Sequence, residues 1–216
     1  MLQFSFWDIL SNLLIATQWT VVLSLIAFVC GGIVGLILLF MRMSQIPALE
    51  WFTKIYIEVF QGTPLLMQLF LFFFGIALFG VEVSAWTAAI AALTFWTSAY
   101  LAEIWRGCVE SIPRGQWEAS SSLALSYVEQ MRYVILPQAS RIAVAPTVGF
   151  SVQVVKGTAL ASIIGFVELT KAGTMLNNAT FRPFVVYSLV ALIYFCLCFP
   201  LSWWAKKIEG RLNVAR

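Results

Sequence analysis

The chain has 216 residues, of which 61% are apolar and only 11% are charged, and its formal net charge is +3. This composition and a mean hydropathy of +0.90 leave too little polar surface to cover a soluble globule of this size, so we predict an all-α integral membrane protein. The small net charge gives no indication of nucleic-acid binding. With no His and four scattered Cys, the sequence offers neither a His-based catalytic triad nor a metal site.

Apolar runs of the length that a helix needs to cross a bilayer, about 20 residues, recur along the chain. We therefore predict a single membrane domain over residues 1–216. Its five spans are expected at about 13–40, 56–80, 85–105, 142–166 and 184–204, with a polar loop at 106–141 between the third and fourth spans. No Lys or Arg precedes the first run, so a cleaved signal peptide is not expected.

Small residues and a break signal mark the first two spans. Gly31, Gly32 and Gly35 predict that another helix approaches the first span closely. The second span opens with EVFQGTPLLMQ, in which the Gly-Thr-Pro at 62–64 interrupts the helix and frees backbone groups. Because such groups need partners inside a membrane, this segment is predicted to lie against protein or a wet cavity.

Charged residues mark the third and fourth spans. Glu103 precedes Arg106 by three residues, which predicts a helical ion pair. A lone Lys at the depth of Lys156 costs about 3 kcal/mol on insertion scales unless it faces a partner or a water-filled path. Lys156 is therefore a functional candidate. A polar connection at 168–182, with a short interfacial helix, is expected before the fifth span.

The distribution of Lys and Arg predicts the orientation of the chain. Most of these residues fall on the side of loop 106–141 and of the C-terminal tail, whereas the opposite side holds only Lys171 and Arg182. By the positive-inside rule, the N-terminus is predicted to lie outside and the C-terminus in the cytoplasm. Loop 106–141 is then cytoplasmic.

The loop carries signals for two short amphipathic helices. Pro113 can open the first helix, and Ser126 with Glu129 fits a capping box that would start the second. Pro137 is predicted to end that second helix. A solvated loop is the alternative, but helices with both apolar and charged faces favour docking in the groove of a partner.

Two short motifs in this loop lie at a characteristic distance. Residues 118–120 read Glu-Ala-Ser and residues 134–137 read Val-Ile-Leu-Pro. Together they resemble the EAA motif of bacterial ABC importer permeases, in which E-A-A is followed by Gly and then by I-x-L-P. The departures are Ser120 in place of the second Ala, Ala124 in place of Gly, and Val134 in place of Ile.

The flanking stretches narrow the resemblance to one class. SAYLAEIWRGCVESIPRGQWEA, ILPQASRIAVAP and EVFQGTPLLMQ are similar to the polar amino-acid permeases of the histidine/glutamine/arginine/opine class. The similarity extends from about Trp51 through the fifth span. It implies a transmembrane permease subunit that imports a polar amino acid, or an opine or cystine-like derivative, across the bacterial inner membrane.

The resemblance also implies a set of partners. A cytoplasmic ABC ATPase dimer would receive the 113–137 loop, a second permease subunit, identical or related, would complete the pathway, and an extracytoplasmic amino-acid-binding protein would deliver the substrate. Because the chain has no G-x-x-x-x-G-K-[ST] loop, ATP and Mg would be bound by the separate ATPase, and no catalytic residue or cofactor is expected in this chain. The residues implied in ATPase coupling are Arg114, Gly115, Glu118, Ala119, Ser120, Ala124 and Arg132.

Residue type and depth predict a substrate pathway. Its candidate residues are Glu58, Gln61, Gln68, Gln153, Lys156 and Thr158. Lys156 with Thr158 offers a partner for a carboxylate, and the other four residues offer acceptors for an ammonium group. An open alternative is that Glu58 and Lys156 only tie helices together.

The substrate itself is not fixed by these patterns. Relatives often carry Arg at the position of Gln61, and residues 156–160, KGTAL, resemble their K-D-T-S-L without its Asp and Ser.

Two other functional classes fit less well. A secondary transporter would carry more spans and an inverted repeat, and an intramembrane enzyme would need a nucleophile with a base or a metal cluster.

Overall fold

The computed structural model of the chain describes residues 5–214, and all regular secondary structure in this range is helical. Eight helices are numbered here in chain order, with consecutive turns that share one axis taken as one helix. They are α1 (Phe6–Arg42), α2 (Pro47–Gly62), α3 (Leu65–Gly75), α4 (Ala85–Glu110), α5 (Arg114–Ser122), α6 (Tyr127–Ser162), α7 (Leu169–Thr180) and α8 (Pro183–Val214). The predicted all-α membrane fold is confirmed.

Four helices, α1, α4, α6 and α8, are each long and apolar enough to cross a membrane, and α2 with α3 passes the same test as a bent pair. Helices α1 and α4 run in the same direction. The Trp19 ring, in the first half of α1, meets the Trp86 ring at the start of α4, with centroids 5.8 Å apart, and Arg42 and Arg106 line one polar cleft near the other ends of the two helices. Since the chain must return across the membrane between two parallel spans, the bent pair is a single crossing and the fold has five.

The α1–α4 contact is close because α1 presents glycines to α4. A Cβ atom built on Gly31 would lie 2.6 Å from Thr97 Cβ, and one on Gly35 would lie 3.1 Å from the Ser98 carbonyl oxygen. A Cβ on Gly32 would meet nothing nearer than 3.9 Å. The predicted close approach of a helix is confirmed for Gly31 and Gly35.

The second span, expected at about 56–80, is formed by two helices with a sharp bend between them. Its helix begins at Pro47, where the missing N–H of proline costs nothing, and stops at Gly62. Thr63 is extended, with φ −111° and ψ 139°, as the proline that follows it requires. The helix resumes at Leu65 with its axis turned by 102°. The predicted interruption at 62–64 is confirmed.

The predicted helix end at Pro137 is wrong. Ser126 and Glu129 form the predicted capping box, but the helix that they start continues to Ser162. A wide π-helical turn over Gln130–Ile135 precedes the proline. An ordinary turn would bring the proline ring against the carbonyl four residues earlier, and widening the turn relieves that clash. The helix that carries the fourth span therefore starts at Tyr127, well before residue 142.

A buried carboxylate begins α7. Glu168 is fully buried and caps the helix, accepting hydrogen bonds from the Lys171 N–H at 2.8 Å, the Thr170 N–H at 2.9 Å and the Tyr194 hydroxyl at 2.8 Å. The Thr20 hydroxyl lies 3.4 Å from the same carboxylate. This cap joins α1, α7 and α8. The sequence predicted a short helix here but missed the cap, since Glu is not among the preferred N-cap residues.

Candidate functional site

The break between α2 and α3 is held by one buried amide. Gln68 Nε2 lies 2.9 Å from the Phe60 carbonyl oxygen, 3.1 Å from that of Thr63 and 2.9 Å from Thr63 Oγ1. These acceptors include carbonyls that the interrupted helix leaves without N–H partners. Gln68, a predicted pathway residue, is only 5% exposed and serves here as the clamp of the break.

A cavity of about 610 Å³ opens beside this break, between α2, α3, α4 and α6. Its volume lies in the range typical of small-molecule sites. The lining residues are Gln61, Gly62, Thr63, Pro64, Leu65, Trp96, Tyr100, Gln153, Lys156, Gly157 and Leu160. We refer to it as the break cavity. Three of the predicted pathway residues, Gln61, Gln153 and Lys156, line it together.

Aromatic rings form one wall of the break cavity. Trp96 and Tyr100 lie one helical turn apart on α4, with ring centroids separated by 4.8 Å. Behind them Phe150 stacks on Tyr100 at 5.3 Å and contacts Trp96 at the same distance. On the polar side, Gln61 Nε2 donates to the Ala99 carbonyl oxygen at 3.2 Å, which fixes this amide against α4.

Lys156 is the only cationic residue of the lining, and the lining contains no Asp or Glu. None of the salt bridges found within residues 5–214 involves Lys156. The same side chain also borders a second cavity of about 460 Å³ between α6 and α8, next to Tyr194 and Cys198. Lys156 therefore borders open space on both sides of α6.

Two predicted pathway residues lie apart from the break cavity. Glu58 is exposed, and one of its carboxylate oxygens lies 4.0 Å from Lys54 Nζ, one turn earlier on α2. Thr158 is fully buried, and its hydroxyl donates to the Val155 carbonyl oxygen at 2.7 Å. The structure does not bring Glu58 and Lys156 together, and neither Glu58 nor Thr158 belongs to the lining.

The predicted coupling residues lie at the other end of the molecule, on and around α5. Most of them are exposed: Arg114, Gly115, Glu118, Ala119, Ala124 and Arg132. Ser120 is the exception, at 3% exposure, and its hydroxyl donates to the Trp117 carbonyl oxygen. Leu123, just after the helix, remains 75% exposed. The short helix thus offers a mixed charged and apolar surface that nothing in the chain covers within residues 5–214.

Contacts with two other elements hold α5 in place. The Trp117 ring lies parallel to that of Tyr127 at the start of α6, with centroids 6.4 Å apart. The Tyr127 hydroxyl then donates to the Met43 carbonyl oxygen at the end of α1, at 2.9 Å. Movement of α5 would therefore act directly on α6 and on the α1–α2 connection.

A polar cleft lies where these connections meet. Arg106 pairs with Glu103, as predicted, and also with Glu110, while Arg42 Nη1 lies 3.6 Å from a Glu50 carboxylate oxygen. The Arg42–Glu50 pair ties α1 to α2. The ion pairs stabilise the end of the molecule that carries α5, and within residues 5–214 no group of three or more His, Cys, Asp or Glu side chains is arranged to hold a metal ion.

Residues 27–214 match the family described as "Binding-protein-dependent transport system inner membrane component". The probable amino-acid ABC transporter permease protein YckA of Bacillus subtilis is 38% identical over 180 residues, covering 83% of this chain and 80% of that protein. The L-cystine transport system permease protein TcyB of the same organism is 35% identical over 214 residues, covering 99% and 90%. A chain of the crystal structure of an amino acid ABC transporter with histidines has a TM-score of 0.90 and 33% identity, covering 97% of this chain and 100% of that one.

Proposed function

Because the chain belongs to the family of binding-protein-dependent transport system inner membrane components and is the permease subunit of an amino-acid ABC importer, we propose that α5 couples it to a separate ATPase. A cytoplasmic ABC ATPase dimer, which binds ATP and Mg, receives the exposed surface around Glu118, Ala119 and Leu123. The surface combines charge with an exposed apolar side chain, which suits a groove in a partner.

Other subunits complete the transporter. A second permease, identical or related, supplies the other half of the pathway, and an extracytoplasmic amino-acid-binding protein delivers the substrate. The N-terminus lies outside and the C-terminus in the cytoplasm of the bacterial inner membrane, as the excess of Lys and Arg on the α5 side favours. The parallel course of α1 and α4 supports this arrangement, because it requires five crossings and so places the two termini on opposite sides.

One observation carries the coupling proposal. Helix α6 begins at Tyr127, which contacts α5, and carries Lys156 in the break cavity near its far end. The two residues lie on the order of 40 Å apart along one helix. Closure of the ATPase dimer moves α5, α6 transmits the movement, and the break cavity changes its access from one side of the membrane to the other.

We propose that the substrate passes through the break cavity. Lys156 there can pair with a carboxylate, while the amides of Gln61 and Gln153 can accept hydrogen bonds from an ammonium group. Gln68 is buried behind the cavity and stabilises the break between α2 and α3. Thr158 and Glu58 do not line the cavity and affect the pathway only through the helices that carry them.

Charge reversal on α5 tests the coupling. In vesicles holding the whole transporter, Glu118→Lys is expected to lower ATP-driven amino-acid uptake at least tenfold and to reduce the ATPase that copurifies with the chain. Glu209→Lys reverses the charge of another exposed residue, on α8 at the same end of the molecule. This variant is the matched control and should retain both the uptake and the copurifying ATPase. ATP-driven uptake that is unchanged in Glu118→Lys, with the thermal unfolding of both variants intact, would contradict the role of α5.

A further inference from the structure

The charged residues that line the break cavity are unevenly balanced for a site that receives amino acids. Its lining holds one cation, Lys156, and no carboxylate within the described part of the chain. The acidic residue nearest to the cavity along α2, Glu58, pairs with Lys54 on the exposed side of that helix. Glu168 near α8 is fully buried, and backbone N–H and hydroxyl donors already occupy its oxygens.

The lining can nevertheless bind both charged ends of an amino acid. Lys156 is available to the α-carboxylate. The α-ammonium group has an amide oxygen at Gln153, which is exposed to the cavity and makes no hydrogen bond within residues 5–214, and the faces of Trp96 and Tyr100. Once both ends are bound, Lys156 and the α-carboxylate neutralise each other, and the α-ammonium group leaves one positive charge in the cavity before the substrate side chain is counted.

A cationic side chain would therefore find no counter-ion in the lining that the described residues of this chain supply. It would enter a space that already holds an ammonium group on the protein and another on the substrate, and like charges repel, more strongly as the effective dielectric constant falls. An amide, an apolar or an acidic side chain meets no such penalty. Binding sites commonly achieve specificity by placing a charge of the same sign, without a counter-ion, next to the unwanted ligand.

We propose that the break cavity selects amino acids whose side chain is uncharged or acidic and rejects those with a cationic side chain. The proposal rests on the proposed function, because it takes the cavity to be part of the transport pathway. The positive charge of Lys156 sets the selectivity. Position 153 carries an uncharged amide, where a carboxylate would be needed to accept a cationic substrate.

Binding to the purified permease–ATPase complex in detergent, without the binding protein, tests the proposal directly. Radiolabelled glutamine serves as the probe, and unlabelled glutamine, glutamate, arginine and lysine compete for it. Arginine and lysine are expected to compete at least tenfold more weakly than glutamine. Lys156→Met should reduce the affinity for glutamate more than Lys156→Arg, which keeps the charge.

A near-isosteric change supplies the missing carboxylate. Gln153→Glu is expected to strengthen competition by arginine at least tenfold, because the new carboxylate neutralises the α-ammonium charge and so removes the excess positive charge that the guanidinium group would meet. Asn178→Asp, which adds the same charge at an exposed position on α7, is the matched control and should leave the order of affinities unchanged.

The outcomes separate this proposal from the one on which it rests. Equal competition by arginine and glutamine in the wild type, or binding of none of the four amino acids while the whole transporter still imports glutamine in vesicles, would overturn charge selection in the break cavity. Absence of ATP-driven uptake of every amino acid tested would instead overturn the proposed function.

Discussion

Ala124 adopts a left-handed turn conformation that its side chain disfavours. It follows α5 and has φ +57°, in the left-handed region. The Ala124 N–H donates to the Ser121 carbonyl oxygen at 2.9 Å, and the Leu125 N–H donates to that of Ser120 at 3.3 Å. This pair of bonds is the Schellman arrangement, in which glycine is favoured because it lacks a Cβ atom. The turn that relatives build with Gly is therefore kept here at some cost.

Removing the side chain should relieve that cost. We expect Ala124→Gly to stabilise the α5–α6 turn by about 1 kcal/mol, the penalty of a left-handed conformation for an L-residue. Slower hydrogen exchange of the Leu125 amide would show it. Ala119→Gly, within α5, should do the opposite and destabilise the helix by about 0.5–1 kcal/mol. Faster exchange in both variants would mean that the left-handed conformation carries no strain.

Residue type alone predicted only part of the site. A Lys at membrane depth identified Lys156, because its insertion is costly wherever it lies. The same reasoning could not separate Gln61, which lines the break cavity, from Gln68, which is buried behind it, since both are amides near one break. Glu58 was also grouped with them, but the helix turns it to Lys54. Side-chain direction around a helix break is set by the bend, which the sequence does not specify.

At the scale of elements, the α1–α4 contact depends on which glycine faces the partner. Gly31→Ala would place a methyl group 2.6 Å from Thr97, so the two helices must separate. We expect a loss of about 1–3 kcal/mol, as for other overpacked cores, seen as a lower midpoint of thermal unfolding in detergent. Gly32→Ala, with nothing nearer than 3.9 Å, should leave the midpoint unchanged or raise it. Equal effects of the two changes would show that the contact is looser than described.

Two prolines show why element ends are harder to predict than element types. Pro64 and Pro137 gave the same signal in the sequence, and the first breaks a helix whereas the second does not. Before Pro64 the chain turns extended at Thr63, and Gln68 satisfies the exposed carbonyls. Before Pro137 the wide turn over Gln130–Ile135 makes room for the proline ring, and the helix continues. The choice depends on the packing around each proline, not on the proline itself.

At the scale of the whole molecule, the arrangement of the helices gives a test of orientation. In a variant without the four native cysteines, Asn178→Cys on α7 is expected to react with a membrane-impermeant maleimide on intact cells, and Arg211→Cys on α8 only after the membrane is opened. The positive-inside distribution and the odd number of crossings both favour this result. Labelling of Arg211→Cys in intact cells, with Asn178→Cys protected, would reverse the proposed orientation.

The bend between α2 and α3 also constrains how the chain is made. Helix α2 has 16 residues and covers about 24 Å, and Leu65–Gly75 covers about 16 Å, so neither half alone crosses a hydrocarbon core of about 30 Å. The second span also forms a side-chain hydrogen bond with α4, which the ribosome synthesises later: Tyr56 Oη lies 2.6 Å from Ser98 Oγ. The contacts of the second span with α4 can therefore form only after α4 has been synthesised, whereas the Gln68 hydrogen bonds that hold the bend lie within the second span itself.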